Sequence, residues 1–122
     1  MVWQSAAGRV ALVTDSVAGA GLEDGTYMLN GFEIEVHDGV ARGPGGVLAG
    51  STLTMVEAVR NLHGLGASLA DALGAASAVP ARVIGLPTLG RLDVDLPADI
   101  VVLDDNLEID RVFVGGEARV VA

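Results

Sequence analysis

Cysteine and lysine are both missing from the 122 residues. Without cysteine there is no disulfide and no thiolate metal site, and the redox compartment is left open. Aromatic residues make up 3% of the chain, namely Trp3, Tyr27, Phe32 and Phe113. So few cannot form a stacking platform for nucleobases. The seven basic residues are all arginine, against 16 acids, for a net charge of −9. That field repels polyanions, which speaks against nucleic acid as a partner. Long apolar runs are missing too. Stretches such as Val10–Val13 and Ile100–Leu103 are far too short to cross a bilayer. Met1–Gly8 lacks the basic-then-apolar order of a secretory signal. The expectation is a soluble, cytoplasmic domain with neither nucleic acid nor membrane as partner.

What is present is a chain of single-domain length, 51% hydrophobic, whose core must come from Ala, Val, Leu and Ile. Arg9–Val13 is apolar without alternation, the pattern of a strand covered on both faces, and it stops at Thr14–Asp15. A meander follows. Thr26–Leu29 and Phe32–Val36 flank Asn30–Gly31, and Asp38–Gly39 turns the chain into Val40–Arg42. Phe32, Ile34 and Val36 alternate with Glu33, Glu35 and His37, so one face should be dry. Gly43–Gly50 reads as a glycine-rich loop.

Thr54 and Glu57 then have capping-box spacing for a helix with Met55 or Val56, Val59 and Leu62 inward, ended by Gly64. Ser68 and Asp71 open a second helix from Leu69 to about Ala78, and Pro80 starts a third short turn closed by Gly85. Strands are expected again at Arg91–Val94, Asp99–Leu103, Ile109–Val114 and Glu117–Val121, the last two joined by Gly115–Gly116.

Asp15 is the leading candidate for chemistry. It closes the most buried-looking strand, at the rim where α/β folds place active groups. A carboxylate there can take a proton from a water and pass it to a leaving amine; equally, an aspartate in that position can cap its own turn. Val47–Ser51 leads toward a helix start that could hold a polar ligand, or it is a plain connector; no Gly-Lys follows to make it a phosphate loop. His37 and His63 lack the paired spacing of metal ligands and read as surface residues, so no metal ligand is assigned within the chain. The pairs Glu23–Asp24, Asp93–Asp95 and Asp104–Asp105 lack calcium-loop spacing and read as solvated turn carboxylates. Ser16, Ser51 and Ser77 have no G-x-S-x-G context for a nucleophile.

The runs LVTDSVAGAGLEDGTYMLNG, DGVARGPGGVLAGSTLTMVEAVRNL, SLADALGAASAVPARVIGL and GRLDVDLPADIVVLDDNLEIDRVFVGGE resemble the C-terminal third of the N-acetylglucosamine-6-phosphate deacetylase family. The closing A-D-I-V-V-L-D pattern is shared more widely among metal-dependent amidohydrolases. The resemblance implies an α/β fold class: the last strand, meander insertion and last helices of a (β/α)8 barrel over residues 1–90, then strands of a small β-sandwich domain over 91–122. It implies that Asp15 is the catalytic aspartate, which activates a metal-bound water and then protonates the departing nitrogen. It also implies that the backbone of Leu48, Ala49 and Gly50 lies against the bound sugar. The divalent metal, zinc or similar, is held in that family by a glutamate and two histidines that precede anything matched here.

A barrel needs roughly 250 residues, so the resemblance implies a fragment of an amino-sugar deacetylase, inactive by itself. Its unpaired strand edges should drive homo-oligomer formation. Two alternatives stand beside this reading: a non-catalytic interaction module, and a fragment of another metal-dependent amidohydrolase.

Overall fold

The computed structural model describes residues 2–6 and 8–120. These fall into two compact units, residues 13–58 and residues 1–12 with 59–122.

The first unit is built on an antiparallel meander, β1 (Gly25–Leu29), β2 (Phe32–His37), β3 (Val40–Arg42) and β4 (Leu48–Ser51), paired in chain order. The turns explain the order. Asn30 and Gly31 have φ of 50° and 85°, and Asp38 and Gly39 have 49° and 73°. Two successive left-handed residues give the turn whose twist matches the strands it joins. Ile34, Val36 and Ala41 are buried, as period-two alternation requires. Phe32 departs from the expected dry face. It lies at the turn end of the β1–β2 ladder, paired with Leu29, and is 64% exposed.

The expected glycine-rich loop contains structure of its own. A 3-10 turn at Pro44–Gly46 is closed by the Gly43 N–H on the Val47 carbonyl (2.8 Å) and by Arg42 Nη1 on the Gly46 carbonyl (2.9 Å). The chain thus returns beside β3 within a few residues and forms β4. Glycine and alanine are poor strand formers, so composition conceals this strand. The segment Arg9–Val13 is the opposite case. No ladder includes it, its residues alternate between half-buried and exposed, and Val13 is 74% exposed. The buried strand expected there is absent because no described strand lies alongside to complete its hydrogen bonds.

The second unit holds α1 (Val2–Ser5), most of α2 (Met55–Gly64), α3 (Leu69–Ala76), α4 (Ala78–Val83) and a three-stranded antiparallel sheet, β5 (Ile100–Leu103), β6 (Ile109–Val114) and β7 (Glu117–Arg119). Helix α2 begins with the expected capping box: the Glu57 carboxylate accepts from the Thr54 N–H at 2.8 Å and from its hydroxyl. It ends at Gly64, as expected, and the turn that closes it lies just beyond. Gly66, at φ 96°, is the closing residue, with Ala67 N–H on the Leu62 carbonyl and Gly66 N–H on that of His63. Those are the paired bonds of a Schellman closure. In α3 the Ser68 hydroxyl accepts from the Asp71 N–H at 3.0 Å.

Val59, Leu62, Ala67, Ala72 and Ala75 form the core of this unit, with Trp3, Leu12 and Ala76 packed on it. The strand expected at Arg91–Val94 does not form: Leu92 and Val94 are 74% and 83% exposed and no ladder reaches them. Gly115–Gly116 makes the expected hairpin, and the far end of the last strand, Val121, lies outside the described residues. No helix among the described residues is long and apolar enough to cross a membrane.

Candidate active site

Asp15 and the segment Leu48–Ser51 are brought together within the first unit. The Ser51 N–H donates to the Asp15 carbonyl at 2.8 Å, and the Val17 N–H donates to the Ser51 carbonyl at 3.0 Å. Ser16, just after the first apolar segment, forms an isolated parallel bridge with Ser51 of β4. The Ser51 hydroxyl donates to the Thr14 carbonyl and accepts from the Leu53 N–H at 3.1 Å. The Ser16 hydroxyl donates to the Leu53 carbonyl at 2.7 Å.

The pairing of β4 has a consequence for the three residues expected to face a ligand. Ala41 pairs with Gly50 and Arg42 with Leu48, so Ala49 is the extra residue of a β-bulge. Bulges re-aim neighbouring side chains and interrupt the ladder, which frees backbone groups for other partners. Leu48 is exposed, while Ala49 and Gly50 are partly buried. Gly50 has φ of 136°, and a Cβ built on it would meet Asp15 Oδ2 at 3.8 Å.

Asp15 has φ of 51°, a left-handed conformation that aspartate tolerates better than most residues. It is exposed. Its carboxylate caps no turn: among the described residues no hydrogen bond ends on it. An exposed carboxylate at a chain corner, with its own backbone held and its oxygens unclaimed, can exchange protons with whatever is bound beside it.

The other titratable groups lie elsewhere. His63 Nδ1 sits 2.8 Å from the Ala67 carbonyl at the end of α2. His37 lies between two carboxylates, 3.2 Å from Asp24 and 3.5 Å from Asp38, all three exposed. Among the described residues this is the one group of three that could converge on a cation, and Asp15 is not in it. The residues around Asp15 therefore do not fit a complete metal centre. In the β5–β6 turn the Asp104 carboxylate is held below the ordinary carboxylate range, chiefly by the Glu108 N–H at 2.8 Å and also by that of Asn106.

The sequence reads Ser51 as a serine without nucleophile context and as the end of the Val47–Ser51 stretch. The structure shows that its hydroxyl also ties together segments 37 positions apart, a long-range bond with no local signal.

The chain as a whole is similar to known proteins. A putative N-acetylgalactosamine-6-phosphate deacetylase of Escherichia coli is 41% identical over 111 residues, covering 89% of this chain and 66% of its own length. The solved N-acetylglucosamine-6-phosphate deacetylase of Thermotoga maritima superposes with a TM-score of 0.88 at 37% identity, over 96% of this chain and 33% of that one. A mutant of the Mycobacterium smegmatis enzyme, solved in complex with N-acetyl-D-glucosamine-6-phosphate, gives 0.84 at 37% identity over 96% of this chain and 32% of that one. This chain thus spans about two thirds of the first relative and about a third of the two solved ones. The expected fold class is met: an α/β arrangement with antiparallel sheets that corresponds to part of a deacetylase structure. Residues 5–119 match the amidohydrolase family, and the chain belongs to that family.

Proposed function

We propose that this chain is part of a cytoplasmic amino-sugar deacetylase that hydrolyses the acetamide of N-acetylglucosamine 6-phosphate to glucosamine 6-phosphate and acetate. The observation that carries the reading is the unclaimed Asp15 carboxylate beside the bulged Leu48–Gly50 segment. In this reading Asp15 accepts a proton from the water that attacks the amide carbon. It then returns a proton to the nitrogen as the C–N bond breaks, which balances the hydrolysis. The backbone of Leu48, Ala49 and Gly50 lies against the sugar, where the bulge leaves groups outside the ladder.

Amidohydrolases generally depend on a metal, here a divalent cation, zinc or similar. Because the residues around Asp15 do not make a centre, its ligands come from polypeptide beyond these 122 residues. Residues 1–90 then belong to the end of a barrel domain and 91–122 to a small β-sandwich domain. The isolated chain is inactive and self-associates. The Escherichia coli relative supports a second reading, in which the substrate is the galactosamine epimer.

Acetate release from both sugar phosphates separates these readings. The chain alone should release none, and the deacetylase assembled with its preceding polypeptide should turn over one epimer preferentially. Asp15→Asn in that assembly should lower kcat by about 10²–10⁴-fold, the usual worth of a positioned acid–base group. Metal-dependent acetate release by the pure 122-residue chain, or an Asp15→Asn enzyme at full rate, overturns the proposal.

A further inference from the structure

We infer that Ser51 is a positioning residue for Asp15, holding the aspartate backbone in its left-handed conformation so that the carboxylate keeps one direction. The inference rests on the reading of Asp15 given above. A left-handed φ at a residue other than glycine persists only where its surroundings impose it. The Asp15 side chain supplies no such hold, since no described residue bonds it.

Ser51 does supply it. Its hydroxyl and its N–H claim two consecutive carbonyls, those of Thr14 and Asp15, and its own carbonyl takes the Val17 N–H. The peptide planes on either side of Asp15 are thereby fixed from one residue. Ser51 is anchored in turn by its ladder pairing with Val40 and by the Leu53 N–H on its hydroxyl. A hydroxyl has one proton and two lone pairs, and this one places the proton on Thr14 and a lone pair toward Leu53. Alanine at 51 keeps the N–H and carbonyl bonds but leaves the Thr14 carbonyl without its donor. The plane between Thr14 and Asp15 can then rotate, and φ of Asp15 with it.

The test uses the 122-residue chain in solution by NMR. A left-handed φ brings a residue's amide proton close to its own α-proton and gives a strong cross-peak between them. Asn30 and Asp38, at φ 50° and 49°, serve as internal standards for Asp15 at 51°. In the unmodified chain the three cross-peaks should match. In Ser51→Ala that of Asp15 should fall severalfold while those of Asn30 and Asp38 stay, and Ser51→Thr should restore it.

In the assembled deacetylase, Ser51→Ala should lower kcat with KM unchanged, and Ser51→Thr should recover it. An Asp15 cross-peak that still matches the standards in Ser51→Ala overturns the inference. Should that variant fail to fold, hydrogen exchange of the unmodified chain decides: a Ser51 N–H exchanging as fast as free loop amides overturns it, and a protected one supports it. The outcome is separable from the deacetylase reading, which stands or falls on Asp15→Asn turnover.

Discussion

A methyl group at Gly50 would lie 2.7 Å from the carbonyl oxygen of Asp15, closer than a side-chain carbon can approach, with Val17 Cγ1 at 2.6 Å on the same spot. Glycine is required at this point twice over, by its φ of 136° and by the backbone facing it. Gly50→Ala should therefore cost about 3 kcal/mol, the sum of backbone strain and a displaced neighbour. Gly46→Ala is the control. Its φ of 76° is also left-handed but nothing lies within 4 Å, so it should cost only about 1 kcal/mol. Urea titrations of both variants followed by far-UV circular dichroism make the comparison; equal midpoints contradict the crowding argument.

Leu62 is the largest aliphatic side chain in the core of the second unit, and Trp3, the single tryptophan, packs against the same cluster. Leu62→Ala should destabilise that unit by about 2–5 kcal/mol through lost burial and a residual cavity. Tryptophan fluorescence against denaturant reads the effect directly, and an unchanged midpoint would show that the cluster is not a cooperative core.

Ser68 satisfies the Asp71 N–H at the start of α3, and its own hydroxyl donates back to the Asp71 carboxylate at 2.7 Å. Ser68→Ala should cost about 1 kcal/mol, and Ser68→Asn, which keeps an acceptor, far less. The pair is compared by thermal unfolding. Equal losses would mean that the cap contributes through packing.

Asp104 carries a pH prediction. Its folded pKa lies below the ordinary 3.8, with the Glu108 N–H as the main cause. A lowered carboxylate stabilises the fold fully above the unfolded value, and that contribution disappears as pH falls through the folded one. The β5–β6 turn should therefore loosen under acid only below about pH 4. In Asp104→Asn this pH-dependent part should vanish. Amide shifts of Asn106 and Glu108, followed from pH 6 to pH 2, report it; identical acid transitions in both proteins would refute it.

The tight turns are legible in the sequence because Asn30–Gly31, Asp38–Gly39 and Gly115–Gly116 each solve a local problem, two successive positive φ angles, with local residues. Caps at Thr54 and Ser68 are legible for the same reason: donor and acceptor lie three positions apart. What depends on distant partners is not. Arg9–Val13 has strand composition, yet composition reports a capacity for burial and cannot supply the neighbour that a ladder needs. Leu48–Ser51 is the reverse, a strand of unpromising residues made by a partner, β3, already in place. The placement of Asp15 beside Gly50 belongs with these, since its bonds join segments far apart in the chain. Resemblance to a family reaches Asp15 and Leu48–Gly50, and Ser51 becomes visible only once those bonds are traced.

Three of the five residues at the heart of the helical unit are alanines, Ala67, Ala72 and Ala75. Side chains of one carbon let neighbouring backbones approach to the short end of the usual interaxial range, about 8 Å. Such a seam has nothing left to give up and no room to accept more. Truncation, the commonest injury to a core, scarcely touches it, whereas any larger residue at Ala72, which is fully buried, must wedge α3 away from what it rests on. Sequence drift along this seam is therefore constrained by growth and indifferent to shrinkage, the opposite of the rule at Leu62.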